Sequence, residues 1–143
     1  MSLEQLAAQC AACRGCPHGE TRTQTVFAKG DPLSALCFVG EAPGEEEDAQ
    51  GLPFVGSAGQ FLDRQIAAMR EYAAGIDVEF PASPYICNVL KCRPLGNKLL
   101  ADGSDIATCS TLYHPAYLLR RRYDKALHAE TWADLKLAVE GLR

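Results

Sequence analysis

The sequence predicts a single α/β domain built around parallel strands, and three observations carry that expectation. Two short apolar runs, 35–39 and 85–90, have the continuous hydrophobic character of strands buried on both faces. Each runs directly into a polar loop containing Gly and Pro. The stretch between them carries an apolar stripe at helical spacing. Strand, helix and strand, with polar loops at the strand ends, is the pattern of a parallel βαβ unit whose site lies at the carboxyl edge of the sheet.

Taken in order, residues 3–12 have helical composition and lead into Cys13-Arg14-Gly15-Cys16-Pro17, where Gly and Pro punctuate the chain. This is a helix delivering a cysteine knuckle. The first strand, Ala35-Leu36-Cys37-Phe38-Val39, ends at Gly40. A loop over 41–56, rich in Gly, Pro and carboxylates, closes at Ser57, a suitable N-cap for a helix with Phe61, Leu62, Ile66 and Met69 on one face. The second strand covers Tyr85-Ile86-Cys87-Asn88-Val89-Leu90. The last segment, 124–142, places Trp132, Leu135, Val139 and Leu142 at helical spacing, which reads as core packing.

At 143 residues the chain suits one domain spanning 1–143 and is short for two. Apolar residues at 48% and charged residues at 22% place it with folded globular chains and away from disordered ones. No run approaches the ~20 apolar residues that cross a bilayer. The N-terminus lacks an export signal pattern, so the expected compartment is cytoplasmic, with no membrane partner. Seven cysteines, an odd number in a reducing compartment, argue for metal or cluster ligation over disulfides. The formal net charge of -4 does not advertise a nucleic-acid binder. The charge is uneven, however: Glu45, Glu46, Glu47 and Asp48 form one acidic run, while Lys91, Arg93 and Lys98, and Arg120, Arg121 and Arg122, form two basic groups. A locally basic groove is compatible with that distribution.

Cys13 and Cys16 form a C-x2-C pair, and Cys92 and Cys109 follow later, each beside polar or turn-forming residues. Four thiolates in this arrangement suit a zinc site or a [4Fe-4S] cluster equally well. Cys37 and Cys87 lie inside apolar strands and read as small buried hydrophobes. Cys10 extends the knuckle to C-x2-C-x2-C and is a spare or an alternative ligand.

Five blocks of the sequence resemble, in the same order, the family 4 uracil-DNA glycosylases. They are Cys13-x-x-Cys16-Pro17; Gly40-Glu41-Ala42-Pro43-Gly44 with Glu45 to Asp48; Gly51-Leu52-Pro53-Phe54-Val55-Gly56-Ser57-Ala58-Gly59; Asn88-Val89-Leu90-Lys91-Cys92-Arg93-Pro94; and His114-Pro115-Ala116-Tyr117-Leu118-Leu119-Arg120. The resemblance implies a three-layer α/β/α fold with a central parallel sheet. It implies a [4Fe-4S] cluster on Cys13, Cys16, Cys92 and Cys109, and a monomer acting on uracil-containing DNA in base excision repair. It defines no sliding-clamp or other repair partner. One departure is plain: only Ser110-Thr111-Leu112-Tyr113 separate Cys109 from His114, where the family places a helix, a further strand and more sheet structure. The expected sheet is therefore shortened.

Removing a base demands that the site flip it, stabilise its departing anion and supply water. By resemblance, Phe54 stacks on the flipped base, although a buried ring is also ordinary core. Asn88 offers a donor and an acceptor to the base edge, although an asparagine there also caps turns. His114 stabilises the leaving anion through uracil O2. Glu41 and the backbone at Ala42 line the site and help place water. Ala42 stands where other glycosylase families have an activating aspartate, which argues against strong general-base catalysis. Glu47 crowds out a methyl group at C5, or else belongs to a solvated acidic run. Lys91 and Arg93 contact DNA, as do Leu118, Leu119 and Arg120, where an apolar wedge fills the space left by the flipped base; a Leu-rich helix start explains the same letters. His18 and His128 have no such context. The competing expectation is a truncated, catalytically silent iron-sulfur or zinc DNA-binding module. A covalent uracil-trapping relative is disfavoured because 91–103 contains no histidine.

Overall fold

The computed structural model describes residues 1–94, 115–120 and 123–143. Cys109, His114, Lys98, Arg121 and Arg122 lie outside the described residues, as do the side chains of Ala116, Tyr117 and Leu119. The chain begins with α1 (Leu3–Ala12), opened by a reciprocal cap in which the Ser2 hydroxyl accepts the Gln5 N–H at 3.2 Å and the Gln5 side chain accepts the Ser2 N–H at 2.9 Å. The knuckle follows, then the single turn α2 (His18–Thr21), β1 (Ala28–Lys29), β2 (Cys37–Gly40), α3 (Glu45–Gln50), α4 (Ser57–Gly75), β3 (Tyr85–Asn88), α5 (Pro115–Arg120) and α6 (Lys125–Glu140).

The two expected strands pair in parallel, with Phe38 opposite Ile86 and Gly40 opposite Asn88. Both therefore end at the same edge, and the loops they release face each other. The sheet order is β1-β3-β2, and β1 runs antiparallel to β3. The described sheet is therefore mixed, one pair of strands parallel and the other antiparallel. Residues 26–29 return alongside β3 from the opposite direction, and the Val26 N–H donates to the Lys91 carbonyl at 2.8 Å.

The strand character also needs correcting. β2 alternates between half-buried and exposed residues: Cys37 is exposed and Val39 is 60% exposed. The core lies on the Phe38 face, where Phe38 packs against both apolar clusters, so its neighbours Cys37 and Val39 point the other way. Cys87 is only half-buried. Neither Cys37 nor Cys87 is the fully buried small hydrophobe that an apolar strand implies. β3 alternates too, burying Ile86 and Asn88.

One cluster joins Leu36, Met69, Ala73 and Val78 to Leu135 and Val139, with Trp132 and Leu142 against it. This is the packing expected of the last helix, which starts where Asp124 accepts the Leu127 N–H at 3.1 Å. The second cluster sets Phe54 and Leu62 against Ile86. The N-cap of α4 is Gly56, one residue before the expected Ser57. The loop over 41–56 is not continuous either, because the acidic run forms α3. Among the described residues no helix is long and apolar enough to cross a membrane.

Candidate active site

The facing loops enclose a cleft of about 470 Å³ at the carboxyl edge of the parallel pair. Its walls come from Ala42, Pro43 and Gly44 after β2, from Phe54, from Ser57 at the start of α4, and from Asn88 at the end of β3. Arg93 stands at the mouth, 3.1 Å from the Glu45 carboxylate. That ion pair is largely exposed and contributes at most ~1 kcal/mol.

Asn88 and Phe54 form the floor. Asn88 is 2% exposed, and its Oδ1 has no hydrogen-bond partner among the described residues. A buried carbonyl left unpaired costs about 1–3 kcal/mol, so its persistence at the end of a strand points to a ligand group that would complete it. Phe54 is 6% exposed and holds φ at 53°, in the left-handed region that a bulky residue rarely adopts. Its carbonyl is gripped by Lys29 Nζ at 3.0 Å. At Gly59, a Cβ would lie 2.1 Å from that same oxygen. Gly40 keeps the ring and the amide together, since a Cβ there would lie 2.3 Å from Asn88 Oδ1 and 2.4 Å from Phe54 Cζ.

The acidic run is not a solvated face. Glu47 and Asp48 are buried, and both carboxylates accept hydrogen bonds from the backbone. Glu47 accepts from Gly44 at 3.0 Å, Val55 at 2.8 Å and Gly56 at 2.8 Å, stitching the two halves of the cleft wall together. Burial alone would push the Glu47 carboxyl up, but the backbone donors at Gly56, Val55, Glu47 itself and Gly44 outweigh it and hold it below the ordinary carboxylate value. Asp48 accepts the Thr23 N–H on both oxygens at 3.0 Å.

The structure thus brings together Ala42, Glu47, Phe54, Asn88 and Arg93. Glu41 is half-buried after β2, its carbonyl accepts the Leu90 N–H, and it is not among the residues lining the cleft. Lys91 turns inward, donating to the carbonyls of Asn88 at 2.6 Å and Phe27 at 3.1 Å, which makes it a brace for the end of β3. Leu118 is fully buried in α5, which packs on α4; in this arrangement it is a core residue and not a wedge. Arg120 is exposed. Sequence reasoning placed Gly40 at the strand end without its close approach to Asn88 and Phe54, and it passed over Lys29, for which it had no signal. The clamping role of Glu47 did have one: Gly44-x-x-Glu47 has the spacing of a helix-start capping pair.

Of the cysteine set, Cys13 is exposed and Cys16 and Cys92 are half-buried. Gly15 donates its N–H to Cys13 Sγ at 3.4 Å, and Arg22 Nη1 donates to Cys92 Sγ at 2.8 Å. Soft thiolates surrounded by N–H donors fit an iron-sulfur or zinc centre in donor chemistry. Among the described residues no three metal-binding side chains are grouped closely enough to hold an ion.

Fold and cleft together define an α/β protein whose site, lined by an aromatic ring and an amide, opens at the carboxyl edge of a parallel strand pair. Residues 27–112 match the family model described as the uracil DNA glycosylase superfamily. The chain is 38% identical over 109 residues to the type-4 uracil-DNA glycosylase of Sulfurisphaera tokodaii, covering 76% of this chain and 46% of that protein. It is 40% identical over 97 residues to that of Archaeoglobus fulgidus, covering 68% and 45%. It is 43% identical over 96 residues to that of Thermotoga maritima, covering 67% and 46%. The chain belongs to the uracil-DNA glycosylase superfamily, with its type-4 members. It spans about half the length of the curated relatives it matches.

Proposed function

We propose that the chain hydrolyses the N-glycosidic bond of uracil in DNA, releasing free uracil and leaving an abasic site for base excision repair. The observation that carries this reading is Asn88, a buried amide with an unpartnered Oδ1 beside an aromatic ring. Uracil presents an N3–H donor and an O4 acceptor side by side, which match Oδ1 and Nδ2 of one carboxamide. Cytosine reverses both groups and would leave the amide unpaired on both sides. The flipped base stacks on Phe54, and the wall that Glu47 holds rigid leaves no room for a methyl group at C5.

As the glycosidic bond lengthens, the sugar gains oxocarbenium character and the base leaves as an anion. His114 donates a hydrogen bond to O2 and stabilises that charge. The backbone at Ala42, which lines the cleft, orients the attacking water, and Glu41 behind it holds that loop to Leu90. With alanine at 42 the reaction relies more on leaving-group stabilisation than on a base. Arg93 and Arg120 to Arg122 meet phosphates, and Leu119 takes the wedge role that the burial of Leu118 denies its neighbour.

Cys13, Cys16, Cys92 and Cys109 hold a [4Fe-4S] cluster in this reading. Its contribution is a cross-link that pins the N-terminal knuckle to the loop after β3. The chain acts as one cytoplasmic, monomeric domain over 1–143, lacking the family segment between Cys109 and His114. A silent DNA-binding module is the second reading, and the edge position of β2 favours it, since the described sheet ends there and a further strand would pair along it. Uracil release from a labelled uracil-containing oligonucleotide, read as strand cleavage after alkali, separates the two. Cleavage supports the glycosylase; DNA binding without an abasic product replaces it with the module.

A further inference from the structure

Arg22 stands between the two arms of the cysteine set, although its sequence context marks it for nothing. Its planar guanidinium donates Nη1–H to Cys92 Sγ at 2.8 Å. Nη2 donates to the carbonyls of Ala11 at 2.8 Å and Cys13 at 2.9 Å. One side chain therefore holds the end of α1, the first knuckle cysteine and a sulfur 70 positions away in sequence. The backbone from which Arg22 reaches is itself fixed, because the next residue, Thr23, donates its N–H to both oxygens of the buried Asp48.

We propose that Arg22 is the positioning residue of the cysteine centre, docking the N-terminal knuckle onto Cys92 and donating a hydrogen bond to that ligand's sulfur. The inference rests on the [4Fe-4S] reading above. An N–H directed at a ligand sulfur draws charge from it, which favours the reduced cluster and raises its potential. Partners that orient ligands in this way typically contribute about 10- to 100-fold to retention of the bound group. A lysine keeps the charge but cannot reach three acceptors with one planar fork.

The test uses the full chain, purified anaerobically, as wild type, Arg22→Lys and Arg22→Met. Visible absorption, the rate of cluster loss to a chelator and the reduction potential are measured, with far-UV circular dichroism reporting the fold. The expected result is cluster loss about 10- to 100-fold faster in Arg22→Met, an intermediate rate in Arg22→Lys, and a downward shift in potential in both. If Arg22→Met does not fold, Arg22→Lys carries the comparison alone. Loss rates and potentials equal to wild type in a folded variant would overturn the role of Arg22 alone. A wild type with no cluster spectrum would overturn the cluster reading and this inference with it.

Discussion

Replacing Glu47 by alanine tests the account of the cleft wall most directly, because three backbone donors converge on one carboxylate. The Gly56 N–H is buried and the Val55 N–H partly so, whereas Gly44 is exposed and water replaces its bond. A buried N–H left unpaired costs about 1–3 kcal/mol, so two such losses sum to roughly 3 kcal/mol. That is a large share of the ~5–15 kcal/mol that keeps a domain folded. Glu47→Gln keeps one acceptor oxygen and the same shape, and should fall between alanine and wild type. Urea unfolding followed by circular dichroism at neutral pH reads the difference. The pH dependence has a defined sign: with the folded carboxyl below its ordinary value of 4.5, its stabilisation is fully present above that value and is lost as pH falls through the folded one. The gap between wild type and Glu47→Gln should therefore close in acid. An alanine variant within ~0.5 kcal/mol of wild type would refute the clamp.

Other expectations follow from the floor of the cleft and the cysteine set. Gly40→Ala puts a methyl group 2.3 Å from Asn88 Oδ1 and 2.4 Å from the Phe54 ring. Displacement of those groups should slow uracil release by ~100-fold at an overpacking cost of about 1–3 kcal/mol, and an unchanged rate would sink the assigned floor. Asn88→Asp replaces the donor to O4 with a second acceptor and should lower release similarly; activity equal to wild type would remove Asn88 from base reading. His114→Ala should slow release by ~100-fold, and an unaffected rate would cancel its leaving-group role. Cys92→Ser should bleach the visible spectrum and lower the melting temperature, whereas an intact spectrum removes Cys92 from the ligand set.

The parallel pair, the helix between the strands, the terminal helix and the position of the cleft were all legible in the letters, because each rests on local periodicity and on where strands end. What was not legible depended on partners distant in sequence. The continuous apolar run of β2 predicted burial on both faces, but the described helices cover only the Phe38 side. The acidic run read as solvated, yet backbone donors eight and nine positions on from Glu47 bury it. Lys91 looked like a phosphate ligand until its ammonium was found facing two carbonyls. For the acidic run and Lys91, bonds to Val55, Gly56 and Phe27 overrule local composition, and for β2 the described helices leave one side uncovered.

The open face of β2 has a practical consequence for handling the molecule. A four-residue strand with Val39 and the Cys37 sulfur facing outwards offers a second chain both a place to pack and an atom to bond. Partial desolvation of the sulfur, and then its neighbour Cys87, push the Cys37 thiol up, so the reactive thiolate is scarce at neutral pH and more abundant in alkaline buffer. Reductant and near-neutral pH should therefore favour the reduced, single-chain state.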